Sequence, residues 1–106
     1  MKLGVFTPLF NHLSFEEMIE EVAKKGLQTV EIGTGGSPGN AHLVIDKLLE
    51  SREARSEYLA KLEDKGLEIS ALSCHHNPIS PIQEVASEAD ELLRKTIKLA
   101  RSEERL

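Results

Sequence analysis

Residues 24–33 read Lys-Lys-Gly-Leu-Gln-Thr-Val-Glu-Ile-Gly, and this stretch decides the fold. Lys24 and Lys25 complement the negative end of a helix dipole, and Gly26 supplies the left-handed residue that ends the helix. Thr29 to Gly33 is then a strand with Val30 and Ile32 on one face and Thr29, Glu31 and Gly33 on the other. The pattern returns 40 residues later, where Lys65-Gly66-Leu67 leads into Ile69 to Cys74. A helix end feeding a strand, twice at a fixed spacing, is the mark of repeated βα units.

Working outward, the helix before Gly26 begins at Ser14, with Glu17 three residues on as its capping-box partner. Phe15, Met18, Ile19, Val22 and Ala23 fall on one apolar stripe. Before it, Leu3 to Thr7 is a short apolar run ended by Pro8, suited to a buried strand. After Ile32, Gly-Thr-Gly-Gly-Ser-Pro-Gly-Asn reads as irregular, because Gly and Pro dominate it. Leu43 to Leu49 can form a short helix, and Ser51 caps a further one closed by Lys65-Gly66. Beyond the third strand, Cys74 to Ser80 reads as a loop. Ser80, Pro81 and Gln83 can open a helical turn. Val85, Ala86, Ala89, Leu92, Leu93, Thr96, Ile97 and Ala100 mark a long amphipathic helix. The expected strands are Leu3–Phe6, Thr29–Ile32 and Ile69–Ser73. The expected principal helices are Phe15–Lys25, Glu53–Lys65 and Glu88–Ala100.

The 106 residues suit one small domain, residues 1–106, and 40% apolar content favours folding. Eighteen acids against 13 bases give a net charge of −5, without the basic patch that nucleic-acid binding calls for. The single cysteine, Cys74, excludes an internal disulfide framework and fits a reducing, cytoplasmic setting. No apolar run has the length of a membrane span, and the first residues lack a signal-peptide pattern.

In parallel α/β folds chemistry sits at the C-terminal ends of the strands. The loops expected there are Thr7–Leu13, Gly33–His42 and Cys74–Ser80, and they hold all four histidines: His12, His42, His75 and His76. Histidines at one rim suit metal binding, proton transfer or contact with sugar hydroxyls. The plain alternative for each is a solvated or hydrogen-bonded loop residue. His75 and His76 are adjacent, so on extended backbone they point apart and do not chelate together. Glu31 is the one acid at a strand end; it is either a rim carboxylate or a half-buried strand carboxylate bonded to a neighbouring loop. The Gly-rich stretch can offer backbone N–H groups to an anion, but it lacks the P-loop lysine and the dinucleotide-binding spacing. Cys74 carries no sign of activation.

The runs FTPLF, LSFEEMIEEVAKKGLQTVEIGTGG and GLEISALSCHHNPISP closely resemble the opening of sugar phosphate isomerase/epimerase proteins of the xylose-isomerase-like barrel superfamily, from Met1 to about Ala100. The resemblance implies a (β/α)₈ barrel acting on sugars or sugar phosphates. It implies a divalent metal (manganese, magnesium, cobalt or zinc) in the full-length family. Asn11 and His12 after strand one, Glu31 on strand two, and His42, His75, His76 and Asn77 would then line the substrate mouth. The family's principal metal ligands and catalytic glutamates come from strands beyond the third, so no catalytic residue, metal ligand or cofactor is expected of this chain alone.

The expectation is therefore an α/β chain of three βα units with parallel strands, a partial (β/α)₈ TIM barrel. A full barrel takes about 250 residues. The inner sheet face has to be covered by rearrangement to a flavodoxin-like three-layer form, or by completion through oligomerisation. Expected partners are further copies in a two-fold homo-oligomer or a complementary barrel fragment, with a sugar or sugar phosphate as ligand. The expected role is the N-terminal fragment of an isomerase/epimerase-like barrel, inactive alone. The rivals are a metal-dependent isomerase subunit completed by other chains, and a small sugar- or anion-binding module.

Overall fold

The structure, a computed structural model, describes residues 1–36 and 39–102. Three strands, β1 (Gly4–Phe6), β2 (Thr29–Gly36) and β3 (Glu68–His75), form a parallel sheet in the order β1-β2-β3. Between them run α1 (Phe15–Lys24), α2 (Ile45–Glu50) and α3 (Arg52–Asp64), and α4 (Gln83–Ser102) follows β3. Sequential strands lie side by side.

Local chemistry accounts for the ends of these elements. Ser14 caps α1 and accepts from the Glu17 N–H, while the Glu17 carboxylate accepts from the Ser14 N–H, so the expected capping box forms. Ser51 caps α3 by accepting from the Ala54 N–H. Gly26 and Gly66 end α1 and α3 with φ of +76° and +71°. Met18, Ile19 and Val22 of α1, Leu48 of α2, Leu62 of α3 and Leu99 of α4 are buried in one cluster with Val30 and Ile32 of β2. Each fully buried side chain of this kind contributes about 1.5–3 kcal/mol.

All four helices reach that one cluster, and Val5, Ile69 and Leu72 pack on it from the sheet, whereas Phe6 and Ala71 take no part. The helices thus cover one face of the sheet. Among the described residues no helix lies on the other face of the sheet. No helix among the described residues is long and apolar enough to cross a membrane.

Five sequence expectations are corrected. The Gly33–Gly36 stretch is not irregular: β2 continues to Gly36, with Gly35 and Gly36 paired to Cys74 and His75. Gly36 makes this possible, because its φ is +75° and a Cβ there would collide with the His75 carbonyl oxygen. Cys74 and His75 consequently lie in β3, not in a loop. Residues Thr7–Phe10, expected as loop, wind into a 3₁₀ turn. The last helix starts at Gln83, well before Glu88. Ser80 makes no capping box and instead accepts from the Ile82 N–H two residues on. Ser37, Pro38 and residues 103–106 lie outside the described residues, including the centre of the Gly-rich stretch read as an anion cradle.

Candidate functional site

Glu31 stands on the sheet face that the helices leave uncovered, in register with Phe6 on one side and Ala71 on the other. It is half-buried and accepts a hydrogen bond from the Ser73 hydroxyl. Ser73 itself is buried. Of the two readings the sequence left open, Glu31 is the half-buried strand carboxylate, bonded to the neighbouring strand β3 rather than to a loop; because β2 runs on to Gly36, Glu31 lies inside the strand and not at its end. Ser73 was not a candidate in the sequence. Strict alternation from Ile69 would put Ile69, Ala71 and Ser73 on one face. The irregular pairing between Val30 and Glu31, where β3 carries one extra residue, returns Ile69 and Leu72 to the helix side.

At the C-terminal end of β3, His75 is exposed and its ring meets Phe6 edge-on, with ring centres 6.1 Å apart. That contact spans β2, where the glycines Gly33, Gly35 and Gly36 put up no side chain between them. His76 points elsewhere: its Nδ1 accepts from the Asn77 N–H at 3.0 Å, and its Nε2 lies 4.0 Å from a Glu88 carboxylate oxygen. An Nδ1 that accepts leaves Nε2 as the nitrogen carrying the proton in the neutral ring. The Asn77 side-chain oxygen accepts from the Ile79 N–H, which fixes the start of the β3–α4 loop. Gly36, Cys74, His75, His76 and Asn77 together line a shallow recess at this rim.

The loop after β1 contributes less. His12 is exposed, with its ring centre 6.5 Å from that of Phe10. The backbone N–H of Asn11 donates to Pro8, and the Asn11 amide lies beside Gly39 of the β2–α2 loop.

His42 differs from the other three histidines. It is 3% exposed, and its Nε2 lies 3.0 Å from both the Phe10 and the Leu13 carbonyl oxygens. Two carbonyls can only accept, so Nε2 bears the proton and shares it between them. The His42 carbonyl accepts in turn from the Tyr58 hydroxyl at 2.8 Å. Tyr58 stacks on Phe15 with ring centres 4.3 Å apart, and burial holds its phenol well above the usual range. His42 is therefore a brace tying the loop after β1 to α3 through the interior. The expectation that it lines the mouth is replaced by this role. Nothing in the sequence separates it from His12, since both sit in loops of mixed composition.

A divalent metal of the kind the resemblance implies would need ligands at this rim. Among the described residues no three His, Cys, Asp or Glu side chains gather as ligands. Glu31 is already bonded to Ser73, and the ring of His75 is turned to Phe6. This donor set does not fit such an ion by itself. A cleft of about 270 Å³ between α3, α4 and β3 lies away from the rim and is lined mainly by Leu43, Leu48, Leu59, Leu62, Ile69, Leu72 and Leu99. It offers apolar surface rather than convergent polar groups.

No protein-family model matches the chain. A relative is found in Bacillus subtilis (strain 168), the uncharacterized protein YfiH, 39% identical over 100 residues. The match takes in 94% of this chain and 32% of that protein, so the chain spans about a third of the length of the curated relative it matches.

Proposed function

We propose that the chain forms the first three βα units of a sugar or sugar phosphate isomerase/epimerase barrel of the xylose-isomerase-like type, and that it has no turnover of its own. The observation that carries this reading is the Glu31–Ser73 pair on the uncovered sheet face, beside Phe6 and His75 at the strands' C-terminal ends. In a closed barrel that face is the interior and that end is the mouth. Ser73 orients the Glu31 carboxylate, which accepts hydrogen bonds from the hydroxyls of a polyol. Asn77 offers its amide nitrogen, since its oxygen is engaged. His75 supplies a ring nitrogen at the rim. These groups bind and orient a sugar.

They do not complete its chemistry. Isomerisation needs a base at the carbon-bound proton and a stabiliser for the enediolate, which in this family is a divalent metal. A hard cation requires several oxygen ligands, and Glu31 is one carboxylate. The test is an assay of the purified chain with manganese, magnesium and cobalt on a panel of ketoses, aldoses and their phosphates. The expected result is no turnover. Turnover that disappears in Glu31→Gln or His75→Ala would overturn the claim of inactivity, because it would put a working base or ligand in these three units.

A further inference from the structure

The leucine-lined cleft of about 270 Å³ lies on the helix side of the sheet, opposite the face that carries Glu31. Arg55 and Ser102 line this cleft and also a neighbouring groove, so they mark where the two join. The groove's other lining residues are Leu49, Arg94, Ile97, Lys98 and Arg101. Four of its seven residues are cationic and none is acidic, in a chain whose net charge is −5. Asp90 holds Arg94 at 2.8 Å, but no ion pair among the described residues engages Lys98 or Arg101. Arg55 is fixed in place by donating to the Leu48 carbonyl at 2.8 Å. An apolar cavity thus opens beside cations that have no carboxylate of their own.

We infer that this junction binds a fatty carboxylate, with its alkyl chain in the cleft and its head on Lys98 and Arg101 beside Arg55. The chain length follows from the volume. An apolar cavity of about 150 Å³ takes the six carbons of benzene, so 270 Å³ has room for about ten. The sign of the head follows from the order of charges. Arg55 and Glu63 both line the cleft from α3, two turns of helix and about 12 Å apart, and Glu68 joins the wall from β3. An anionic head is repelled at the Glu63 end and attracted at the Arg55 end, where guanidinium groups pair well with a carboxylate. A peptide helix, about 10–12 Å across with its side chains, is too wide for the cleft. The walls all belong to this chain and the Glu31 face lies on the other side of the sheet, so the inference stands apart from the barrel reading.

The test is isothermal titration of the purified chain with decanoate, kept below its micelle concentration. The expected result is one molecule bound per chain, with a Kd of about 0.1 mM or tighter. Butyrate, which leaves most of the cleft empty, should bind at least about a hundredfold more weakly. Decanol and decyltrimethylammonium, which lack the anionic head, should each bind at least about tenfold more weakly. Lys98→Glu/Arg101→Glu should weaken decanoate binding by a similar factor. Lys24→Glu/Lys65→Glu makes the same change of charge at exposed positions elsewhere and should leave it unchanged. Ala100→Phe puts a ring into the cleft and should abolish binding, with circular dichroism checking its fold. The surface double variant decides the matter if Ala100→Phe does not fold. No saturable binding, decanol bound as tightly as decanoate, or binding untouched by Lys98→Glu/Arg101→Glu would each overturn the proposal. So would binding that appears only on deletion of residues 103–106, because the chain's own residues would then be the occupant.

Discussion

Replacing His42 by alanine tests whether the second of the four rim histidines is structural. The change removes one N–H that serves two carbonyl oxygens, each at 3.0 Å. The Phe10 carbonyl keeps the Leu13 N–H at 2.9 Å, so losing the imidazole N–H there costs about 0.5–1.5 kcal/mol. Leu13 is half-buried, and water can replace part of its lost bond. Loss of imidazole packing adds about 1 kcal/mol. The sum is about 2–3 kcal/mol, a large part of the roughly 5–15 kcal/mol that holds a domain of this size together. Urea unfolding followed by circular dichroism measures it, and the melting temperature should fall by at least ~8 °C. His42→Gln keeps a side-chain N–H and should recover part of the loss. His75→Ala, at an exposed position, should change stability little. A cost below about 1 kcal/mol for His42→Ala, or a glutamine variant as damaged as the alanine one, would refute the assignment of His42 as a brace.

Other consequences follow from the same packing. Tyr58 is the one tyrosine of the chain, so phenolate absorbance reports it alone. Its folded-state ionisation is pushed upward by burial, so its contribution to stability is complete below the unfolded value of about 10 and is lost as pH rises above it. The parent should show no phenolate in the folded state at pH ~11. It should lose stability relative to Tyr58→Phe by about 1.4 kcal/mol per pH unit above ~10, and equal slopes for the two proteins would contradict this. Gly36→Ala should destabilise by at least ~2 kcal/mol in thermal unfolding, since it combines a positive φ with a collision against the His75 backbone. Ser73→Ala should leave the fold standing, because Glu31 is half-exposed and water can replace the hydroxyl. A loss above ~2 kcal/mol there would make Ser73 a core residue rather than an orienting one.

The helix framework was legible because its signals are local. Ser14 and Glu17 specify one end of α1 and Gly26 the other, and the same Lys-Gly-Leu triplet leads into β2 and into β3. The placement of Glu31 opposite Val30 and Ile32 followed from simple alternation. What the sequence hid is what depends on pairing between distant segments. Gly33–Gly36 looks irregular by composition, yet β3 holds it in the sheet. Ser73 joins Glu31 because β3 carries an extra residue opposite β2, and nothing near Ser70 announces that irregularity. His42 resembles His12 in its surroundings along the chain. Only the return of α3, with Tyr58 beneath it, turns one inward and leaves the other outside.

The most direct test of the central claim is a chimera in which this chain replaces the matched segment of the Bacillus protein. The sugar phosphate panel with manganese, magnesium and cobalt is then run on the chimera, on the Bacillus protein and on the chimera carrying Glu31→Gln. If the three βα units are the opening of a sugar isomerase or epimerase barrel, the chimera turns over the same sugar as the Bacillus protein, and Glu31→Gln cuts that turnover at least tenfold. A folded chimera without turnover where the Bacillus protein is active, turnover indifferent to Glu31→Gln, or no turnover by the Bacillus protein across the panel would contradict it.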